Sequence, residues 1–141
     1  MFLGQMLADI TEDGWLALPP VFSESLTEGL VVTRGFDGNL LLFPAQTWRV
    51  LADTLTAQPL TNPDARQLRR RLFARATTLE LDVNGRIRLP NPLHEFAGLS
   101  HMVVVAGMFD HCEIWHPEAW TAVEAAAAAG GQDDRWQSLG I

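Results

Sequence analysis

The stretch Asp82-Val83-Asn84-Gly85-Arg86-Ile87-Arg88-Leu89-Pro90 decides the fold. A polar loop with a glycine turn runs into Ile87 and Leu89 at alternate positions, the pattern of a short, half-buried strand. Pro90 has no amide hydrogen to give a ladder and ends the strand. Displaced by 71 residues, the same pattern stands near the start of the chain, where Gly14 matches Gly85, Leu16 matches Ile87, Leu18 matches Leu89 and Pro19 matches Pro90.

The match continues downstream: Val31-Val32-Thr33 resembles Val103-Val104-Val105, Phe36-Asp37 resembles Phe109-Asp110, and Phe43 corresponds to Trp115 and Trp48 to Trp120 after a single-residue slip. Two copies of one supersecondary unit are the simplest account. In each copy a short helix or turn (Phe22 to Leu26; Leu93 to Leu99) leads to a β-branched run (Leu30 to Thr33; Met102 to Val105) and a hairpin, at Gly35 to Gly38 or Phe109 to His111. A helix follows. Pro44 to Leu55 sets Trp48, Leu51, Ala52 and Leu55 on one face, and the second copy has Pro117 at a first helical position followed by Trp120 and Val123. These aromatic stripes read as core rather than as a cofactor box. Between the copies, Asn62 and Pro63 form a cap and first turn for a helix reaching about Ala76. The expected division is repeat 1 over 5–50, a connecting helical region over 51–76, repeat 2 over 77–123 and a tail over 124–141. The tail after Ala129 opens with Gly130-Gly131 and is expected to fray, with Trp136 and Leu139 able to dock on a neighbouring subunit.

Composition narrows the function. The chain has 141 residues, 48% of them apolar, which suits one compact unit or two small repeats sharing a core. Its longest apolar runs, Leu40 to Phe43 and Met102 to Met108, are far short of the roughly 20 residues of a membrane helix, and Met1 to Ile10 lacks a secretory pattern, so a soluble cytoplasmic protein is expected. The single cysteine, Cys112, cannot form an internal disulfide. Along a continuing strand it would lie about 13 Å from His116, at roughly 3.3 Å per residue, too far to share a metal. Ser23 and Ser25 lack a neighbouring base signature, His94, His101, His111 and His116 have no recognised catalytic spacing, and no phosphate-binding glycine loop precedes a lysine. No enzyme activity, cofactor, metal or small-molecule substrate is expected.

The net charge of −7 argues against a nonspecific nucleic-acid coat, but all ten cations are arginines, five of them within Arg66 to Arg75 and two more at Arg86 and Arg88. Distribution matters more than the total.

An Asp-x-x-x-Arg segment with glycine before the arginine, leading into an apolar-x-apolar-Pro strand and occurring in tandem, resembles the MraZ family of SpoVT/AbrB-type regulators. The opening Met1-Phe2-Leu3-Gly4, the Thr33-Arg34-Gly35-Phe36-Asp37-Gly38 hairpin, the Asp64-Ala65-Arg66 helix, Glu113-Ile114-Trp115 and Glu118-Ala119-Trp120 extend the resemblance over residues 1 to 123. It implies a β-dominated α+β fold, a tandem-repeat swapped-hairpin β-barrel with peripheral helices, assembled as a ring-like homo-oligomer. It implies a sequence-specific DNA-binding regulator, nucleoid-associated, repressing the division and cell-wall gene cluster through promoter direct repeats. By position, Arg86 approaches DNA with Arg88 and Asn84 beside it, and Asp82 supports the loop. A guanidinium can pair bidentately with guanine O6 and N7 while a carboxylate fixes its fork.

The first repeat departs from that pattern. Thr11, Trp15 and Ala17 stand where Asp82, Arg86 and Arg88 stand in the second, and Asp9, Glu12 and Asp13 crowd the same loop, where they repel phosphate unless paired. The two halves are therefore expected to be functionally unequal. Trp15 is expected to pack against the strand edge or a neighbouring protein surface. Arg66, Arg70, Arg71 and Arg75 form a secondary basic surface, expected to be solvated or to pair with acids on the next subunit more than to touch DNA. The alternative function is a DNA-weakened oligomeric interaction protein that modulates another regulator.

Overall fold

A computed structural model describes residues 1–129 and 134–141. Among the described residues, eight strands and six α-helices alternate in two similar series. Repeat 1 contributes β1 (Gln5–Asp9), β2 (Trp15–Ala17), α1 (Pro20–Ser23), β3 (Leu30–Arg34), β4 (Leu40–Pro44) and α2 (Ala45–Thr56). After α3 (Pro63–Phe73), repeat 2 contributes β5 (Thr77–Leu79), β6 (Arg86–Arg88), α4 (Asn91–Phe96), β7 (Met102–Gly107), β8 (Cys112–Trp115) and α5 (Pro117–Ala129), followed by α6 (Asp134–Gln137).

Six strands form one antiparallel sheet in the order β1-β7-β8-β4-β3-β5, and β2 pairs with β6 in a two-stranded ribbon. The repeats exchange strands: β1 of the first pairs with β7 of the second, and β5 of the second pairs with β3 of the first. At the ribbon's centre Leu16 faces its own counterpart Ile87, and at the centre of the sheet Leu41 faces its counterpart Glu113. A pseudo-twofold axis passes through both pairs. The sequence expectation of a β-dominated α+β fold built from tandem repeats with swapped strands matches this arrangement.

Alternation along β4 shows how the layers are filled. Leu40 and Leu42 face a core shared with Val32, Val103, Val105, Ile114 and the ribbon residues Leu16 and Ile87. Leu41 and Phe43 face the opposite side, against Leu55, Ala65, Leu72 and the partly buried Trp48, Leu51 and Leu68. The sheet is thus covered on both faces, by the ribbon on one and by α2 and α3 on the other. Such strands read as unbroken apolar runs, as Leu40 to Phe43 does. On the outer face of the second half, α5 lies over Val104 and Ala106, with Trp120 against Trp115 at a centroid distance of 5.7 Å.

Two helix limits differ from those expected. α2 starts at Ala45, because Pro44 still pairs with Leu30 as the last residue of β4. α3 ends at Phe73 rather than Ala76, because the chain must turn there to bring Thr77 beside Val32. Its N-terminus is capped as expected: Asn62 Oδ1 accepts the Asp64 and Ala65 amides at 3.0 and 3.3 Å. The Gly130-Gly131 opening of the tail lies outside the described residues, while Trp136 and Leu139 are exposed beyond it. Among the described residues, no helix is long and apolar enough to cross a membrane.

Candidate nucleic-acid interface

The ribbon turns Leu16 and Ile87 into the core and leaves Trp15, Ala17, Arg86 and Arg88 on its outer face, since adjacent residues of a strand point to opposite sides. Each ribbon strand is entered through a glycine turn, and the two turns are built alike. In the second, the Gly85 amide donates to Asp82 O at 3.1 Å and the Asp82 amide to Arg86 O at 2.9 Å. In the first, Gly14 donates to Thr11 O at 3.0 Å and Thr11 to Trp15 O at 2.9 Å. Both glycines have positive φ, +93° at Gly14 and +74° at Gly85, a region that other residues enter at a cost. The turns are then tied to the opposite strand, Leu89 N donating to Gly14 O at 2.8 Å and Leu18 N to Gly85 O at 3.2 Å.

The side chains on this common frame differ. Asp82 Oδ1 accepts the Asn84 and Arg86 amides at 2.9 and 2.8 Å, and its Oδ2 accepts Arg86 Nε–H at 3.0 Å. The Arg86 amide, the Asn84 amide and the Arg86 side chain hold the Asp82 carboxyl below the usual carboxylate range, against some desolvation. In the first turn Thr11 Oγ1 replaces the carboxylate, accepting the Trp15 amide at 3.0 Å and donating to Asp13 Oδ1 at 2.5 Å. That hydrogen bond from Thr11 is the main cause of a lowered Asp13 pKa. Arg88 Nε donates to Asp13 O at 3.1 Å, so the second arginine is fastened to the first loop. Arg86 stays exposed, with its Cζ 5.2 Å from the centroid of the half-buried Trp15 ring.

The structure therefore brings Asp82, Arg86, Arg88, Thr11 and Trp15 to one surface, with Asn84 exposed in the turn. The arginines of α3 lie elsewhere, because α3 covers the sheet face opposite the ribbon. Arg66 Nη1 donates to Leu60 O at 2.9 Å, and Arg71 Nη2 donates to Gly35 O at 2.8 Å while lying 5.3 Å from the Phe36 ring centroid. Arg70 and Arg75 are exposed. Sequence reasoning missed the contact between Arg86 and Trp15. The repeat offset makes Trp15 the counterpart of Arg86, but that the two strands pair antiparallel is set by the fold.

Cys112 sits inside the main core, where burial pushes its thiol up to about 12. His116 Nδ1 accepts the Glu118 amide at 3.1 Å at the start of α5. His111 stacks on Phe43 with a centroid distance of 4.9 Å and meets Asp110 Oδ1 at 2.7 Å.

The twofold repeat also stands in the likeness to known proteins. The family described as "MraZ protein, putative antitoxin-like" matches twice, over residues 1–71 and 72–136. The protein named transcriptional regulator MraZ from Herpetosiphon aurantiacus is 50% identical over 123 residues, 87% of this chain and 86% of its own length. Its namesake from Roseiflexus castenholzii is 43% identical over 129 residues, covering 92% and 90% of the two chains. That from Thermomicrobium roseum is 42% identical over 131 residues, covering 93% and 92%. Identity at this level runs through both repeats and the helix between them, so the chain belongs to the MraZ family, whose relatives carry the name of transcriptional regulators.

Proposed function

We propose that this protein is a sequence-specific DNA-binding transcriptional regulator that reads duplex DNA with the outer face of the β2·β6 ribbon. The observation that carries the reading is the Asp82–Arg86 pair. Asp82 takes the Nε–H of an exposed guanidinium and leaves its outer Nη edge to a partner, the arrangement suited to bidentate pairing with guanine O6 and N7. Arg88 and Asn84 flank the contact and Asp82 supports it. Thr11 and Trp15 keep the first loop in shape without supplying a cation, so each chain offers one arginine fork.

A single fork binds weakly, and the reading therefore includes a ring-like homo-oligomer in which linked sites raise the effective concentration of the next contact. An open apolar groove of about 770 Å³ between α2, α3 and the β7–β8 turn, lined by Phe36, Phe43 and Val50 among others, supports self-association. The targets are the direct repeats upstream of the chain's own operon, with repression of the division and cell-wall gene cluster as the outcome and the nucleoid as the place of action.

A salt titration of binding to duplex promoter DNA, beside a scrambled duplex, tests this. Promoter-selective binding that weakens as salt rises is expected, the slope reporting the phosphates engaged. Assembly without selective binding at low salt would instead favour an oligomeric interaction protein acting on another regulator, a reading that the acidic net charge of −7 supports.

A further inference from the structure

Trp15 is a large aromatic residue on the outer face of the ribbon, with Ala17, Arg86 and Arg88 as its neighbours there. The antiparallel register sets Arg86 opposite Ala17 and diagonal to Trp15. A methyl group at position 17 leaves the guanidinium free to lean across the strand, and its Cζ lies 5.2 Å from the centre of the indole. Diagonal cross-strand neighbours are within reach of one another when the side chains are aromatic or long. Arg86 is thus restrained from two directions, by Asp82 Oδ2 on its Nε–H at 3.0 Å and by the indole beneath its Cζ.

We infer that Trp15 is a positioning residue for DNA recognition: its indole is the platform that orients the Arg86 guanidinium, so that the Nη edge is offered in one direction before DNA arrives. This rests on the reading of Arg86 as the DNA contact. An unrestrained arginine samples many rotamers, and ordering it on contact subtracts from affinity. A stacked and ion-paired arginine has already lost that freedom. Direct stacking of Trp15 on a DNA base is disfavoured by the same geometry, because the guanidinium already lies over the ring.

The placement has a second effect. Trp15 stands where the pseudo-twofold axis would put another Arg86, so the residue that removes one reader braces the remaining one. The ribbon's two halves therefore carry different side chains on a common frame.

The test compares wild type, W15A, W15L, W15F, R86A and the W15A/R86A double variant as full-length proteins. Binding is measured to the promoter duplex and to the same duplex with 7-deazaguanine, which lacks the N7 acceptor. W15A and W15L are expected to weaken promoter binding by about 2–5-fold per engaged site and W15F to recover most of it, as loss and return of an exposed cation–π contact would do. W15L keeps apolar cover without a π face, and carries the test if W15A does not fold. Discrimination between guanine and 7-deazaguanine should fall in parallel, and W15A should add nothing in the R86A background. The Arg86 Nε–H resonance, displaced by the indole ring current, should move toward its random-coil position in W15L and return in W15F. An unmoved resonance in W15L, wild-type binding by W15L, or an equal loss from W15A with and without Arg86 would overturn the platform alone. Undiminished selective binding by R86A would instead remove Arg86 as the reader, and the platform with it.

Discussion

Thr11 and Asp82 occupy the same place in their two loops: each side-chain oxygen accepts the amide N–H four residues on, at 3.0 Å from Trp15 and 2.8 Å from Arg86. The loop frame needs only an acceptor, whereas the fork needs a negative charge as well. D82N keeps an oxygen for the Asn84 and Arg86 amides but drops the charge facing Arg86 Nε. D82A drops both, and should be more destabilising than D82N, because the Asn84 and Arg86 amides lose their acceptor. Urea unfolding of the two variants measures the difference, and equal midpoints would contradict the shared role of Thr11 and Asp82.

Acid should act through the same carboxylates. Asp82 and Asp13 have pKa values depressed in the folded chain, so each binds its proton more readily when unfolded. Their contribution to stability is fully present above the ordinary carboxylate range and is lost as pH falls through the depressed values. The gap in unfolding midpoint between wild type and D82N should therefore be widest near neutrality and close as pH drops below about 4. A gap that grows in acid would reverse the assignment.

Arg86 and Arg88 should separate in binding experiments. Arg88 is fastened through Nε to Asp13 O at 3.1 Å, and its remaining edge is suited to phosphate. R88A is expected to weaken promoter and scrambled duplexes alike, lowering the salt slope by about one per engaged site. R86A should instead reduce the ratio between the duplexes, by about 1–3 kcal/mol for a lost bidentate base contact. Equal effects on that ratio would show that both arginines only hold phosphate.

The two turn glycines predict an inequality that their sequence context conceals. A Cβ on Gly14 would lie 2.5 Å from Leu89 O, whereas the nearest atom to a Cβ on Gly85 is Ser23 Oγ at 3.6 Å. G85A carries only the left-handed backbone penalty, about 1–2 kcal/mol. G14A adds displacement of the strand to which Leu89 N and Gly14 O are bonded at 2.8 Å, and should be the more destabilising of the two by chemical denaturation.

Cys112 should be inert in the folded protein. Its thiol, raised to about 12 from the usual 9.0 by burial, stays protonated at neutral pH. The stability linked to that shift is fully present below the usual value and fades as pH rises toward 12. A thiol-specific chromogenic reagent at pH 8 should label the chain only as fast as it unfolds, and rapid stoichiometric labelling of the native protein would contradict the packing.

Much of this architecture was legible because local chemistry agrees with the fold. Period-two spacing placed Ile87 in the core, and Asn62-Pro63 marked a helix start. The offset of 71 residues exposed the pseudo-symmetry through Leu16 and Ile87. Helix ends were less legible, since the stop at Phe73 is imposed by the pairing of Thr77 with Val32, a tertiary demand with no local residue to announce it. The replacement of Arg86's counterpart by Trp15 was also visible, but the approach of its ring to Arg86 depends on which strands pair, a relation between distant segments. Likewise the crowding of arginines in Arg66 to Arg75 marked a basic segment and could not say that α3 lies across the sheet from the ribbon.

The exchange of strands also orders events during synthesis. β1 has no partner until β7 exists, Gln5 pairing with Ala106 about a hundred residues later, and β3 lacks its outer neighbour until Thr77–Leu79 has emerged. At about 5–20 residues per second, the first repeat spends roughly 5–20 s with an open strand edge and half of its core uncovered. Chains translated from one message emerge close together, each carrying the same unpaired edge, and premature pairing between nascent chains is the hazard this chain order creates.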